Sequence, residues 1–378
     1  MKKFNTAIVG IGFIGTVHIE ALRRLGNVDV VAICDPYEAK TKAESLHIDK
    51  YYTDYKLMID ELDLDFVHIC TPNNTHYDIA SYAIKKGIHV VLEKPMTVSV
   101  EEARSLVELA KKHHVTHAIN FHNRLYPAVA FMKHEIEKQT IGDVFSIHGM
   151  YIQDWLLYET DYSWRLNTKT SGITRAVADI GSHWLDLIEY VTGHKIVEVL
   201  SEFKTVYETR KKATKPLNSF EVASSDMTYD DMPIDTEDIA TITFKTDKGA
   251  IGNTFISQMF SGEKNKISLF IGGKDASFEW DLDKLSDIKI GYRNQGNMHI
   301  TKDALLMSSV KSLIDYPSGH EEGFPDAFKQ TFKQIYASVE NKDQSYLYAT
   351  FEDGLRQMIL NEKLYSSAKQ RKWVKIDE

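Results

Sequence analysis

The chain of 378 residues contains little cysteine and no apolar run long enough to cross a membrane. Its two cysteines, Cys34 and Cys70, are too few for a disulfide framework and lack the spacing of a zinc site, which fits a reducing compartment. Met1–Lys3 followed by Ala7–Val17 superficially resembles a signal peptide, but no small-residue cleavage pattern follows. We therefore expect a cytoplasmic protein that does not bind a membrane.

An excess of positive charge is also missing. Lysine and arginine number 45 against 54 aspartate and glutamate residues, for a net charge of −9. This balance argues against non-specific binding to nucleic acid or to anionic lipid. His113, His114 and His117 are close enough in sequence to suggest a metal site, but they end a charged helical segment, where exposure to solvent is the simpler interpretation. We expect no bound metal and no nucleic-acid partner.

The most informative motif is a glycine loop formed by Gly10, Gly12 and Gly15. An apolar strand precedes it, and Thr16–Leu25 has the pattern of a helix. In a dinucleotide site the first glycine allows a tight turn, the second lets the backbone approach a pyrophosphate, and the third lets helix and strand pack closely. The helix N-terminus offers free N–H groups to the phosphates. The alternative is a βαβ unit whose glycines serve packing alone.

Asp35 bears on which dinucleotide binds. It follows a predicted strand, Val28–Cys34, and lies 20 residues beyond Gly15 (35 − 15). A carboxylate there accepts hydrogen bonds from the adenosine ribose of NAD and repels the 2′-phosphate of NADP. The alternative role for Asp35 is a helix N-cap. We predict a preference for NAD.

Strand and helix patterns alternate through residues 1–123, which predicts a doubly wound parallel sheet of the Rossmann type. Ligands of such sheets lie beyond the carboxyl ends of the strands. Two predicted strand ends carry polar segments there, Thr71-Pro72-Asn73 and Glu93-Lys94-Pro95. We predict that these residues line the nucleotide site.

Residues 124–378 have a different pattern, with several β-rich segments that follow one another after a helix. Short turns separate consecutive segments, which predicts an α+β domain with a mostly antiparallel open sheet in meander order. Thr209–Glu237 is polar and rich in turn residues and is interpreted as a surface excursion. Helices on one face of the sheet would leave the other face free to meet a second subunit. We expect a substrate-binding and oligomerisation domain, forming a homodimer or homotetramer, whose C-terminal helix packs back on the first domain.

Two sets of residues suggest chemistry. Lys94, at a strand end, can hydrogen-bond a substrate oxygen and stabilise developing negative charge, although an isolated lysine is most often solvated. Asp179 and His183 are spaced to share one face of a helix, and histidine titrates near neutral pH as a general base requires. The structural alternatives are an N-cap for Asp179 and a core histidine for His183.

Several other residues are weaker candidates for substrate or cofactor contacts. Trp164 and Arg165 could place an aromatic ring and a guanidinium near the cofactor, against the alternative of a core tryptophan beside a surface arginine. Tyr151 and Gln153 could line a polar pocket at the end of a strand or simply belong to an ordinary alternating strand. His320 lies in a loop that could reach a substrate.

Taken together, these motifs resemble the glucose–fructose oxidoreductase, inositol dehydrogenase and rhizopine catabolism (Gfo/Idh/MocA) superfamily over nearly the whole chain. The resemblance lies in the order of the motifs: Gly10-Ile-Gly-Phe-Ile-Gly15 with His18, Thr71-Pro-Asn-Asn-Thr-His76, Glu93-Lys-Pro95, Trp164-Arg165 and Asp179-Ile-Gly-Ser-His183. It implies that Lys94, Asp179 and His183 are catalytic. It also implies contacts to NAD from Phe13, Ile14, Asp35, Thr71, Asn73, His76, Glu93 and Lys94.

The resemblance further implies an NAD-dependent oxidoreductase that oxidises a secondary hydroxyl of a sugar, an inositol or a sugar derivative. Two alternatives remain open, an NAD-dependent glycoside hydrolase that oxidises its sugar transiently and a non-catalytic NAD-binding sugar sensor. One stretch departs from the family pattern. Ser171–Ala178 has a single glycine where members commonly have several, and it contains Arg175, which could meet an acidic substrate or form a salt bridge.

Overall fold

The computed structural model describes residues 2–214, 228–342 and 344–377. By packing, the chain divides into two compact units. The first unit comprises Met1–Tyr126 and Glu322–Met358, and the second comprises Pro127–Glu321 and Ile359–Glu378. Each unit is therefore built from two separate stretches of chain. The division into a nucleotide domain, 1–123, and a substrate domain, 124–378, concerns function and stays a prediction.

Strands and helices alternate along the first 120 residues. The elements are β1 (Phe4–Val9), α1 (Phe13–Arg23), β2 (Val28–Cys34), α2 (Ala39–Leu46), β3 (Lys50–Tyr52), α3 (Tyr55–Glu61), β4 (Phe66–Ile69), α4 (His76–Lys85), β5 (His89–Leu92), α5 (Val100–His113) and β6 (His117–Ile119). The six strands form one sheet in the order β3-β2-β1-β4-β5-β6, with every neighbouring pair parallel. The predicted doubly wound parallel sheet is confirmed.

The rest of the chain is richer in strands. Its elements are α6 (Pro127–Glu137), β7 (Val144–Ile152), α7 (Thr168–Ser171), α8 (Ser182–Thr192), β8 (Ile196–Lys204), β9 (Thr209–Ala213), β10 (Tyr229–Pro233), β11 (Ile239–Thr246), β12 (Ile251–Ser257), β13 (Lys266–Gly273), β14 (Ser277–Asp281), β15 (Asp287–Gly291), β16 (Met298–Thr301), α9 (Phe324–Glu340), α10 (Phe351–Gln370) and β17 (Val374–Lys375). A nine-stranded sheet has the order β16-β15-β14-β13-β7-β12-β11-β8-β17. The α+β class with a mostly antiparallel sheet is confirmed.

The predicted meander order is wrong at one place in this sheet. β12 and β13 follow each other in sequence, but β7 lies between them and pairs parallel with β12 and antiparallel with β13. β7 is the first strand of the second unit and occupies a central position, where both of its edges are hydrogen-bonded. The local sequence indicates the turns between consecutive strands, but it does not indicate that β7, far away in sequence, pairs between β12 and β13.

The parallel sheet of the first unit is covered on both faces. One apolar cluster joins strand residues such as Phe4 and Ile8 to α1 and to α9, whose Phe328 and Phe332 are buried. The cluster on the opposite face is formed with α3, α4, α5 and the start of α10. A helix more than 200 residues beyond β6 thus completes the first unit, because the strands need apolar cover on both sides.

In the second unit α8 is buried along its whole length. The indole N–H of Trp184 donates to the carbonyl oxygen of Ser268 in strand β13 at 3.0 Å, so this helix packs directly against the sheet. Gly149 makes this close approach possible, because a Cβ there would lie 2.7 Å from the Trp184 nitrogen. The helix ends at its C-cap Gly193, which has a φ of +64°, a backbone conformation that favours glycine.

The interpretation of Thr209–Glu237 as a surface excursion is wrong at both ends. Arg210 in β9 is fully buried, as are Thr236 and Glu237 at the other end of the segment. The guanidinium of Arg210 pairs with Asp238 at 2.8 Å, which is how a charged side chain can lie in a core. Residues 215–227 of this segment lie outside the described residues.

Within the described part of the chain, no helix is both long and apolar enough to cross a membrane. Residues 2–214, 228–342 and 344–377 also contain no group of three histidine, cysteine or acidic side chains placed to hold a metal ion.

A buried chain of hydrogen bonds links α9 to the parallel sheet. The hydroxyl of Tyr336 lies 2.7 Å from the Thr6 hydroxyl and 3.0 Å from Nε2 of His68. The Nδ1 atoms of His68 and His18 are 2.8 Å apart. Burial holds the pKa of His68 well below its usual value, so this ring is neutral and carries one N–H. The Tyr336 hydroxyl therefore satisfies two polar groups that have no access to water.

We predict that Tyr336→Phe lowers the free energy of unfolding by about 1–3 kcal/mol, because it leaves buried groups of Thr6 and His68 without this partner. Tyr346→Phe is the matched control, since its hydroxyl bonds a carbonyl oxygen at an exposed position. Urea unfolding followed by circular dichroism measures both variants. Equal losses in the two variants would contradict the interpretation.

Candidate active site

The glycine loop of the first unit is fixed by close backbone contacts. Gly10 has a φ of +88°, and a Cβ there would lie 2.7 Å from the carbonyl oxygen of Cys70. A Cβ at Gly15 would lie 2.0 Å from the carbonyl oxygen of Gly10. Larger residues at either position would force the loop away from α1 and β4. The first glycine thus adopts the turn conformation predicted for it, and the third allows the close packing predicted for it.

Gly12 has a different environment, because a Cβ there would meet nothing within 4 Å. It is the N-cap of α1 and makes no side-chain cap, and the first turn of that helix contains no acidic residue. The first N–H groups of α1 therefore have no side-chain cap at Gly12 and carry the positive partial charge of a helix N-terminus. Such an end fits a phosphate group, as the dinucleotide interpretation requires.

Asp35 follows β2 and takes part in the same loop. Its Oδ2 accepts the backbone N–H of Ile11 at 3.2 Å, and its Oδ1 accepts those of Tyr37 and Glu38 at 2.9 and 3.0 Å. The carboxylate thus stabilises the turn before α2 and ties that turn to the glycine loop. The helix N-cap interpretation of Asp35 is wrong, because the N-cap of α2 is Glu38.

The segment after β4 lies beside the glycine loop, since β4 neighbours β1 at the point where the strand order reverses. Pro72 is exposed, Thr71 is half-buried and Asn73 is buried. His76 is fully buried, and its ring nitrogens lie 2.9 Å from the Thr71 carbonyl oxygen and 3.0 Å from that of Pro95. His76 therefore holds together the two loops that follow β4 and β5.

Glu93 and Lys94 follow β5, and the Lys94–Pro95 peptide bond is cis. The Glu93 carboxylate lies 3.0 Å from Nε2 of His18 and accepts from the amide of Asn120 at 2.5 Å. Burial pushes the pKa of Glu93 upward, but these hydrogen bonds and the charges of His18 and Lys94 outweigh burial, so its pKa lies below the usual value. Lys94 is half-buried at this strand end. Glu93 is thus an ionised group that belongs to the interior, beside a lysine at the surface of the loop.

In the second unit Asp179 lies within a π-helical turn, Val177–Gly181, directly before α8. The helix α8 therefore starts at Ser182 with Gly181 as its N-cap, so the N-cap interpretation of Asp179 is wrong. A π-helical turn carries one residue more than an α-turn, and such turns are frequent at functional sites. The chain places Asp179 one turn before His183 by this means.

The Asp179 carboxylate is held by two donors. Its Oδ2 accepts from Nε2 of Gln258 at 2.9 Å, and its Oδ1 lies 3.4 Å from Nε of Arg165. The side chain keeps 14% of its surface exposed. Its carboxylate is therefore fixed in orientation while remaining accessible.

His183 lies in the first turn of α8 and is 6% exposed. The ring of Tyr151 is its aromatic neighbour, with centroids 6.3 Å apart, and the Tyr151 hydroxyl donates to Asn265 at 2.7 Å. Asp179, His183, Tyr151 and Arg165 thus form one group in the second unit, which we call the Asp179 cluster.

The remaining predicted residues lie in varied surroundings. The guanidinium of Arg165 lies 4.6 Å from the ring centroid of Trp164, which is half-buried and so is not a core tryptophan. Gln153 is fully buried and reaches Asp179 only through Gln258.

His320 is exposed, and its carbonyl oxygen accepts from Lys302 at 2.6 Å. Of the loop residues, Phe13 is 54% exposed and Ile14 is half-buried.

Sequence reasoning missed the residues beneath the Asp179 cluster. Gln258 follows β12, and its side chain contacts both Asp179 and the fully buried Arg175. Arg175 pairs with Asp238, so the salt-bridge interpretation of this departure from the family pattern is the one observed. The sequence signal was weak, since Arg175 stands among apolar residues and the acidic pair begins at Glu237, 62 residues later.

Comparison with protein-family models gives two matches. A model described as the NAD-binding Rossmann fold of an oxidoreductase family matches residues 4–121. A second, described as the C-terminal alpha/beta domain of that family, matches residues 133–376. Together they span most of the chain and agree with the observed order of a parallel sheet followed by a mostly antiparallel one.

Similar proteins are named sugar dehydrogenases. Levoglucosan dehydrogenase of Pseudarthrobacter phenanthrenivorans is 26% identical over 305 residues, which are 77% of each chain. Glucose-6-phosphate 3-dehydrogenase of Bacillus subtilis is 23% identical over 362 residues, 94% of this chain and 93% of the relative. A solved structure of levoglucosan dehydrogenase with NADH and L-sorbose has a TM-score of 0.89 at 22% identity and covers 100% of both chains, which shows the fold. On the family-model matches, the chain belongs to the Gfo/Idh/MocA family of oxidoreductases and carries its NAD-binding Rossmann domain.

Proposed function

We propose that the protein is an NAD-dependent dehydrogenase that oxidises a secondary hydroxyl of a sugar, an inositol or a sugar derivative. The observation that carries this proposal is the Asp179 cluster, in which a fixed, accessible carboxylate precedes His183 by one turn. Its relatives' names, which include levoglucosan dehydrogenase and myo-inositol 2-dehydrogenase, support the substrate class.

Each catalytic residue has one task in the proposed reaction. His183 accepts the proton of the substrate hydroxyl, as a neutral imidazole does near pH 7. Lys94 donates a hydrogen bond to the same oxygen and stabilises the negative charge that develops on it. Asp179 accepts a hydrogen bond from the substrate and so orients the reacting hydroxyl. Bound NAD supplies the nicotinamide C4 that accepts the hydride from the substrate carbon.

The residues proposed to hold NAD lie at the strand ends of the first unit. Backbone N–H groups at the start of α1 bind the pyrophosphate beside Gly12. Asp35 accepts hydrogen bonds from the adenosine ribose and disfavours NADP. The other proposed contacts come from loop residues and from two side chains of the second unit, namely Phe13, Ile14, Thr71, Pro72, Asn73, His76, Glu93, Trp164 and Arg165.

The substrate is proposed to contact the Asp179 cluster. Arg165 places a guanidinium beside Asp179, and Tyr151 lies beside His183 with its hydroxyl bonded to Asn265, so polar groups of the kind that bind a polyol line the cluster. Gln153 acts through Gln258 in this arrangement. His320 stays a proposed substrate residue on the strength of its exposed loop.

We also propose that the nine-stranded sheet mediates self-association through its outer face. Register places Ile251 beside Ser146, Phe255 beside Met150, and Phe270 beside His148 on that face. Ile251 is 55% exposed, and Met150, Phe255 and Phe270 are half-buried. A broad apolar face of this kind is typical of a contact between subunits.

A substrate screen tests the proposed function directly. Sugars, inositols, sugar acids and glycosides are each supplied with NAD or NADP, and NADH or NADPH formation is followed by absorbance. We expect one NADH for each sugar oxidised and a higher kcat/KM with NAD. Glycoside cleavage with catalytic NAD and no net NADH would indicate the hydrolase, and tight NAD binding with no turnover would indicate the sensor.

With the best substrate, His183→Ala should lower kcat about 10²- to 10⁴-fold, because the general base is lost. His299→Ala, which removes an exposed histidine of β16, is the control and should keep wild-type kcat. NAD binding is measured in both variants to show that the first unit is intact. Full turnover of His183→Ala at neutral pH would refute the assignment of the base.

Gly12→Ala should weaken NAD binding about tenfold or more, because its methyl group would occupy the space proposed for the phosphates. Gly323→Ala is a matched control. Gly323 is also a helix N-cap with a negative φ and has open space around its Cβ position. Titration of NADH fluorescence measures both dissociation constants, and equal effects would contradict the proposed phosphate site.

Ile251→Glu should dissociate the oligomer, since it places a charge on the proposed contact face. Leu305→Glu, at an apolar side chain that is 85% exposed outside the sheet, should leave the assembly unchanged. Sedimentation velocity reports the mass of each variant. A wild-type monomer, or an Ile251→Glu oligomer of wild-type mass, would argue against this interface.

A further inference from the structure

We propose that Gln258 is a positioning residue for Asp179 and that buried Arg175 determines which way the Gln258 amide points. This inference rests on the proposed function, in which Asp179 is catalytic. It assigns a role to Arg175, which lies in the stretch Ser171–Ala178 where this chain departs from the glycine-rich family pattern.

The sheet brings the two glutamines together beneath the Asp179 cluster. β7 and β12 are parallel neighbours, with Ile152 opposite Ser257. Gln153 and Gln258 therefore leave their strands side by side at the same end of the sheet. Both are buried, and Nε2 of Gln258 donates to Oε1 of Gln153 at 3.1 Å.

The polarity of the Gln258 amide follows from its partners. A guanidinium has donors and no acceptor, so the contact between Arg175 and the amide requires the Gln258 oxygen. The amide nitrogen then faces the Asp179 carboxylate, to which it donates at 2.9 Å. The reversed amide would set N–H against the guanidinium and oxygen against the carboxylate. In a buried site both contacts would be strongly unfavourable.

Arg175 is itself fixed on the side away from Gln258. Its other terminal nitrogen pairs with Asp238, which is also fully buried. Its backbone N–H donates to the Glu237 carboxylate at 2.9 Å, and the N–H of Val177 donates to the same group at 2.8 Å. Glu237 and Asp238 thus hold both the start of the π-helical turn and the guanidinium beneath it.

The consequence is a fixed orientation of the Asp179 carboxylate. Gln258 holds Oδ2 from the buried side, and the more exposed Arg165 lies near Oδ1. A carboxylate that is oriented before substrate arrives needs no rearrangement during the reaction. Loss of the Gln258 contact should therefore lower kcat more than it changes substrate binding.

Arg210 provides a matched control within the same core. It is as deeply buried as Arg175 and pairs with the same Oδ1 of Asp238 at 2.8 Å. Its remaining contacts go to the carbonyl oxygens of Leu156, Tyr158 and Asp161 and to the sulfur of Met259. Arg210 shares the buried charge of Asp238 without contacting Gln258.

The experiment compares Arg175→Lys with Arg210→Lys. Both keep a positive charge beside Asp238, but a lysine at 175 has one nitrogen where Arg175 uses two to bridge Asp238 and Gln258. We expect kcat to fall about tenfold in Arg175→Lys, with KM for the sugar and NAD binding within about threefold of wild type. Arg210→Lys should lose thermal stability but keep kcat within about twofold. Equal kcat in the two variants would overturn the proposal.

Variants of Gln258 separate its role from that of Arg175. Gln258→Met should lower kcat about 10- to 100-fold, and the double variant with Arg175→Lys should be no slower, because Arg175 acts through Gln258. If the kcat losses of the two single variants multiply in the double variant, the proposal is overturned. If these variants unfold, Gln258→Glu replaces them in the test. It retains a bond to Arg175 but presents an oxygen to the Asp179 carboxylate, so kcat should again fall. Wild-type kcat in that variant would also overturn the proposal.

A readout without turnover distinguishes this inference from the proposed function. The side-chain amide signals of Gln258 in an ¹⁵N NMR spectrum are identified by their loss in Gln258→Met. They should shift in Arg175→Lys and stay in place in Arg210→Lys. A wild-type enzyme that oxidises no sugar would refute the proposed function, whereas unchanged amide signals in Arg175→Lys would refute the link between Arg175 and Gln258.

Discussion

The Asp238 carboxylate, buried between two buried guanidinium groups, is the interaction on which the Asp179 cluster depends. A charge in such a place is tolerated because both guanidinium groups contact its Oδ1, while its Oδ2 accepts the backbone N–H of Val206 at 2.6 Å. Removing one partner of a buried pair typically costs about 3–5 kcal/mol. One of those partners, Arg175, also donates to the side-chain oxygen of Gln258, and the Gln258 amide nitrogen donates to Asp179. The buried ion pair thereby sets the orientation of the Asp179 carboxylate, which is partly exposed.

In the first unit, backbone contacts position the loops of the proposed nucleotide site. Gly10 and Gly15 let β1, β4 and α1 approach more closely than any side chain would permit, and Gly12 leaves the end of α1 open. His76 then ties together the loops that follow β4 and β5, beside Glu93 and Lys94. The position of the proposed phosphate site and that of Lys94 both follow from the way these loops leave a parallel sheet at the reversal of its strand order.

Local patterns in the sequence predicted most of the first unit and the outline of the second. The glycine spacing, the alternation of strands and helices, and the Asp179/His183 pair are short-range signals, and the structure shows helices and strands in those places. The central position of β7, the contribution of α9 to the first unit and the burial of Arg210 depend on contacts between residues far apart in sequence. The π-helical turn before α8 has no distinct pattern either, because the same residues also suit the start of an α-helix.

The central claim is that the protein removes a hydride from the carbon of a sugar hydroxyl and passes it to NAD. A substrate deuterated at that carbon, with mass spectrometry of the cofactor produced, gives a direct test. We expect one NADH for each sugar oxidised, carrying one deuterium at C4 of the nicotinamide. NADH without deuterium, or product formed with no NADH, would contradict it.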